Sequence, residues 1–136
     1  MAGYSPRPLI AKLGIKTGSR IAVLGAPKGY GATLGNLPSG VAVQRTARGK
    51  GRLPFIHLFT RRRHELEERL PGLLRALTSD GALWISWPKR SARVTTDVTE
   101  DVVRAVALPL GLVDVKVCAV DEVWSGLKLV RRLERR

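Results

Sequence analysis

No aspartate or glutamate precedes Glu65. Residues 1–64 carry twelve lysines and arginines and no carboxylate, so almost all of the net charge of +13 lies in the first half. This absence removes the acidic side chain that nucleotide-binding α/β folds place in their first half to hold ribose hydroxyls. It leaves a surface that attracts phosphate or another polyanion. Cysteine is almost absent as well. Cys118 stands alone, which excludes an intramolecular disulfide and a thiolate metal cluster, and no metal site is expected. No apolar run approaches the roughly 20 residues of a membrane helix. The segment Met1 to Pro8 lacks the apolar centre of a signal peptide. No membrane partner is expected, and the cytoplasm is the expected compartment. No serine or cysteine has the flanking sequence of a known nucleophile, and no Gly-Lys-Ser/Thr closes a phosphate loop.

What is present patterns as alternating strands and helices within one domain, residues 1–136. Leu9, Ile10 and Leu13 form one helical face, with Gly14 as the stop. Arg20 to Leu24 is a short apolar strand running into the turn Gly25-Ala26-Pro27-Lys28-Gly29-Tyr30-Gly31, after which Ala32-Thr33-Leu34 begins a short helix. Val41 to Val43 is a weak second strand. The basic, glycine-containing segment 45–52 reads as a mobile loop, and Pro54 to Phe59 as a third strand. Leu66, Leu70, Leu73, Leu74 and Leu77 mark a helix that Pro71 is expected to kink or restart.

Gly81 to Trp87 is a fourth strand. Asp97 with Glu100 reads as a capping pair opening a helix whose Val98, Val102, Val106 and Leu110 face inward. Leu112 to Val120 and Trp124 to Leu133 close the chain as two strands, made antiparallel by the short connection between them. Strands separated by helices require right-handed crossovers and a mostly parallel sheet covered on both faces. The expected fold is α/β, a three-layer sandwich of about six strands with a C-terminal antiparallel hairpin.

Ligands of such sheets bind beyond the carboxyl ends of the strands. The segments expected on that rim bring Lys28, Gly29, Tyr30, Trp87, Lys89, Asp97, Asp121 and Trp124 together as a candidate small-ligand site. The glycine-rich turn is one residue too long for a dinucleotide fingerprint, and Pro27 removes an amide from it. The second strand is followed by Arg45, which suits a 2′-phosphate better than ribose hydroxyls. S-adenosylmethionine and NAD are therefore disfavoured as cofactors. His57 between Ile56 and Leu58 reads as a satisfied core residue, His64 as a surface partner of Glu68, and Cys118 as an inert strand residue.

The motifs Tyr4-Ser5-Pro6, Lys12-Leu13-Gly14-Ile15-Lys16, Gly25-Ala26-Pro27-Lys28-Gly29-Tyr30 and Trp87-Pro88-Lys89-Arg90, with segments 96–104 and 116–130, resemble a short bacterial family, the domain of unknown function 3052. That resemblance implies no particular reaction. The strand plan is also similar to a trimmed class I methyltransferase fold of the Rossmann-like kind, with Gly25 to Tyr30 in the place of the cofactor loop.

Three functions follow in order of preference. The first is a non-catalytic, methyltransferase-like protein that binds a small anionic ligand at the rim. The second is a nucleic-acid-binding accessory protein using Arg45, Arg48, Lys50, Arg52, Arg61, Arg62 and Arg63, seven cations in nineteen residues. The third is an enzyme with Asp121 or Asp97 acting beside Lys89.

Overall fold

Six strands form one sheet in the order β2-β1-β3-β4-β6-β5 in a computed structural model that describes residues 7–136. The Tyr4-Ser5-Pro6 motif lies outside the described residues. The elements in chain order are α1 (Leu9–Leu13), β1 (Arg20–Leu24), α2 (Tyr30–Leu34), β2 (Ala42–Gln44), β3 (Leu53–Phe59), α3 (Arg63–Ala76), β4 (Leu77–Pro88), α4 (Glu100–Ala107), β5 (Leu112–Ala119) and β6 (Trp124–Arg131). Strands β1 to β4 pair in parallel, and β6 runs antiparallel to both β4 and β5. The expected mostly parallel α/β sheet with its C-terminal hairpin is therefore the fold. The last strand in sequence is not the edge. It is inserted between β4 and β5.

The two faces of the sheet follow from side-chain alternation along the strands. Ala22 and Leu24, Ile56 and Leu58, Leu83, Ile85 and Trp87, and Leu127 and Leu129 face α3 and α4. Ile21, Phe55, Phe59 and Trp84 face α1 and α2 on the other side. No helix lies between β2 and β3. Segment 45–52 crosses back instead, with Ala47 packed against the core on the α3 side. Its far end is joined to the last turn of α3, where Gly51 N–H and Arg52 N–H donate to Arg75 and Ala76 carbonyls at 2.9 and 3.0 Å.

Three local expectations need correction. α3 is one continuous helix across Pro71, so the helix does not restart there. Pro71 and Glu67, whose carbonyl loses its helical partner, are both exposed, so water can take the freed bond. Leu66, Leu70 and Leu73 meanwhile hold both halves to one core. Leu77, read as helical, already belongs to β4, where it pairs with Leu53 ahead of an irregularity in the register.

Asp97 does not cap the helix that follows it. Thr99 does so, its hydroxyl accepting from Val102 N–H at 3.2 Å. Asp97 Oδ1 instead accepts from Arg63 N–H at 2.7 Å, satisfying an orphan donor at the start of α3. With α4 starting at Glu100, Val103 and Ala107 become its buried face, and Val102, Val106 and Leu110 are only half-buried.

Arg131 ties the hairpin to the end of α3. Its guanidinium donates to the Leu77 and Thr78 carbonyls at 3.1 and 2.7 Å and also to Leu74 O. Replacing Arg131 with methionine keeps the stem and leaves three half-buried carbonyls without that donor. A loss of about 2 kcal/mol is expected in urea unfolding, the usual scale for bonds to a charged donor.

Candidate functional site

The chain reverses direction across the sheet between β1 and β3. β1 leads outward to β2, whereas β3 leads to β4 on the other side. Such a switch point opens a crevice at the strands' carboxyl ends. Gly25 ends β1 there with φ +69°, and a Cβ at that position would lie 2.7 Å from the Phe59 carbonyl oxygen. The ends of β1 and β3 therefore touch through backbone alone. Two cavities open beside this contact, and Gly25 lines both.

The first cavity, about 710 Å³, lies between the carboxyl ends of β1 and β2 and under α2. Val23, Leu34, Leu37 and Val43 give it an apolar wall, with Lys28 from the glycine-rich turn and Arg45 from just beyond β2. No carboxylate lines it. Its size is in the range of small-molecule sites.

Tyr30 also lines this cavity, but its hydroxyl points into the protein. Tyr30 Oη lies 2.7 Å from His57 Nδ1, and His57 Nε2 lies 2.7 Å from Ser86 Oγ. The three buried side chains form an unbroken chain from α2 through β3 to β4. Phe59 stacks on the imidazole at 4.1 Å and meets the Tyr30 ring edge-on. Burial without a charged neighbour pushes His57 down to about 3. Burial likewise raises the Tyr30 hydroxyl above the ordinary phenol range, with a smaller contribution from Cys118. His57 is thus the satisfied core histidine expected from its apolar flanks, and it anchors α2. This anchor matters because α2 spans five residues and has no side-chain cap.

The second cavity, about 530 Å³, lies between the start of α3 and the β5–β6 turn. Arg61, Arg62 and Trp124 line it, together with Thr60 and Glu65, which are hydrogen-bonded to each other. Asp121 shapes the turn, its Oδ1 accepting from Val123 N–H at 2.8 Å and Trp124 N–H at 2.7 Å. The Trp124 ring meets Phe59 edge-on at 5.2 Å.

The eight rim residues named from sequence therefore separate. Lys28 and Tyr30 line the first cavity, and Gly29 is the residue that precedes α2. Trp124 lines the second. Trp87, 6% exposed, packs in the core on the α3–α4 side and lines neither cavity. Asp97 and Asp121 each accept backbone N–H groups. Lys89 follows β4, and its N–H donates to Val123 O at 2.7 Å.

The basic residues separate too. Arg45, Arg61 and Arg62 reach the cavities at the carboxyl rim. Arg63 pairs with Glu67 in the first turns of α3. Lys50 and Arg52 flank Gly51 at the far end of α3, with Arg48 in the crossover between. The 14 residues of α3 set about 20 Å between those ends. Ser86, Thr60, Glu65 and Val43 were not singled out from sequence, and no local motif marks them.

Solved structures sharing this fold include an S-adenosylmethionine-dependent methyltransferase from Aquifex aeolicus, 16% identical with TM-score 0.64, the alignment covering 89% of this chain and 86% of that one. A second, from Mesorhizobium loti, is 11% identical with TM-score 0.61 over 91% of this chain and 95% of that one. The ribosomal protein L11 methylase of Lactobacillus delbrueckii subsp. bulgaricus is 15% identical with TM-score 0.55 over 91% and 75%. The fold is that of the methyltransferases. No family model and no curated protein matches the chain, so the resemblance to the domain of unknown function 3052 rests on its motifs alone.

The expectation against S-adenosylmethionine does not hold. Proteins that depend on that cofactor share the fold across nearly the whole chain, and a missing ribose carboxylate is too narrow a test to set it aside. The residues present fit the group in two respects. The apolar wall suits an adenine ring, and Lys28 suits the carboxylate of its amino-acid end. Gln44 and Arg45 stand at the end of β2, where a ribose is held in sheets of this kind. No described helix is long and apolar enough to cross a membrane.

Proposed function

We propose that this protein binds an adenosine-bearing small molecule that carries a carboxylate or phosphate group in the β1–β2 cavity, S-adenosylmethionine and S-adenosylhomocysteine belonging to that class through their carboxylate. One observation carries the reading. A cavity of about 710 Å³ at the switch point joins an apolar wall to two cations, Lys28 and Arg45, with no lining carboxylate. Apolar surface takes the ring, and the cations take the charge. The role is binding rather than catalysis. Apart from the two cations, Tyr30 is the one ionisable group of the lining among the described residues, and its hydroxyl is already bonded to His57.

Isothermal titration with S-adenosylhomocysteine tests this. Saturable binding is expected, weakened about tenfold in Lys28→Ala, the scale of one charge-assisted hydrogen bond. S-adenosylhomocysteine should bind more tightly than S-adenosylmethionine, whose extra sulfonium charge faces an uncompensated cationic lining. No heat with either compound, or with ATP and NADP at millimolar concentration, removes the proposal.

A further inference from the structure

We infer that the second cavity is a separate binding site for a planar aromatic anion, a ring bearing a carboxylate or a phosphate. Three observations meet there. Arg61 and Arg62 both line the space, and neither guanidinium has an ion pair or hydrogen-bond partner among the described residues. Two adjacent cations lining one concavity repel each other, and an anion between them relieves that repulsion. The planar guanidinium fork matches carboxylate and phosphate oxygens in particular.

Trp124 supplies an aromatic surface. It is half-buried, fixed below by Phe59 and held at the corner by the Asp121 turn. A fixed, partly exposed indole at a cavity wall is a stacking surface prepared before any ligand arrives. Its N–H has no acceptor among the described residues and can donate to the ligand.

The one carboxylate of the lining does not cancel the cations. Glu65 accepts from the Thr60 hydroxyl and sits in the first turn of α3, where the helix dipole favours it. Val94 and Val123 complete the walls with apolar surface. Charge, aromatic surface and a volume of about 530 Å³ thus select a small flat anion over a neutral ring or a bare ion.

Isothermal titration of the full chain with 4-hydroxybenzoate and with uridine 5′-monophosphate separates the two sources of the anion. 4-Hydroxybenzamide and uridine are the neutral counterparts. At least one anion should bind saturably, about tenfold or more tightly than its neutral counterpart. The Arg61→Ala/Arg62→Ala variant should lose about tenfold or more in that affinity. It should still bind S-adenosylhomocysteine as the parent protein does. Lys28→Ala should leave the anion's affinity within about twofold. Both arginines are exposed, so the double variant should stay folded. Equal binding of neutral and charged probes, loss of anion binding in Lys28→Ala, or no saturable binding of either anion at low salt each overturns the inference. The two proposals fail separately, because the variants that test them lie in different cavities.

Discussion

Gly25→Ala is expected to lower the unfolding free energy by about 3 kcal/mol and to impair both cavities at once. Two costs combine. The position has φ +69°, where an L-residue pays about 1–2 kcal/mol. The new methyl would lie 2.7 Å from the Phe59 carbonyl oxygen, and that oxygen belongs to a buried strand that cannot swing aside as a flexible side chain would. Relief requires β1 and β3 to part at their carboxyl ends, adding about 1–3 kcal/mol of overpacking strain. Gly29→Ala is the control. Gly29 has φ −81° and nothing within 4 Å of an added Cβ, so its cost should stay below about 1 kcal/mol. Urea unfolding of the two variants gives the comparison. Equal stabilities would mean that β1 and β3 do not touch in this way.

His57→Ala should cost more, about 4 kcal/mol. Removing the imidazole leaves a cavity beneath Phe59 and strips the Tyr30 and Ser86 hydroxyls of their common partner inside the core. Truncation of a large core side chain costs about 3–5 kcal/mol, and each stranded polar group about 1–3. Local relaxation recovers part of the sum. Tyr30→Phe strands only the imidazole Nδ1 and should cost about 1–2 kcal/mol, while loosening α2 over the first cavity.

The same residue sets a pH dependence. Folded His57 stays neutral down to about 3, whereas an unfolded imidazole titrates near the ordinary 6.5. Above pH 6.5 neither state is protonated and the contribution is fully present. As the pH falls below 6.5 the unfolded chain takes up a proton that the folded chain refuses. Stability then declines by up to about 1.4 kcal/mol per pH unit toward pH 3. Urea midpoints between pH 7 and 4 should fall more steeply for the parent protein than for His57→Ala. Parallel curves would show that the ring is not held neutral.

The strand plan was legible because buried parallel strands are short apolar runs, the first of them followed directly by Gly25. β1 begins and ends as its sequence indicates. β4 was harder, since Thr78, Ser79 and Asp80 look like a loop; only the pairing of Leu77 with Leu53 makes them part of the strand. The place of β6 inside the sheet depends on pairing with β4, which no local pattern encodes.

The Gly25–Gly31 segment was legible as a glycine-rich turn from its glycines and its place after a strand, and it forms part of the wall of the first cavity. Trp87 was misleading. A tryptophan at a strand end suggests the rim, but Trp87 shares the face of Leu83 and Ile85 and is buried with them in the core on that side. The Tyr30–His57–Ser86 chain could not be read at all. It arises from the β3–β4 register, which sets His57 opposite Trp84 and Phe59 opposite Ser86. The acid-free first half was legible and over-interpreted. It shows that the first cavity lacks a carboxylate; it does not dismiss an adenosyl cofactor.

Amide chemical-shift mapping of the full chain titrated with S-adenosylhomocysteine tests the site most directly. Saturable shifts are expected at Gly25, at Lys28 to Gly31, and at Val43 and Arg45, with β5 left unchanged. An absence of shifts at millimolar ligand, or shifts confined to residues outside the β1–β2 cavity, would contradict the assignment of that cavity as the binding site.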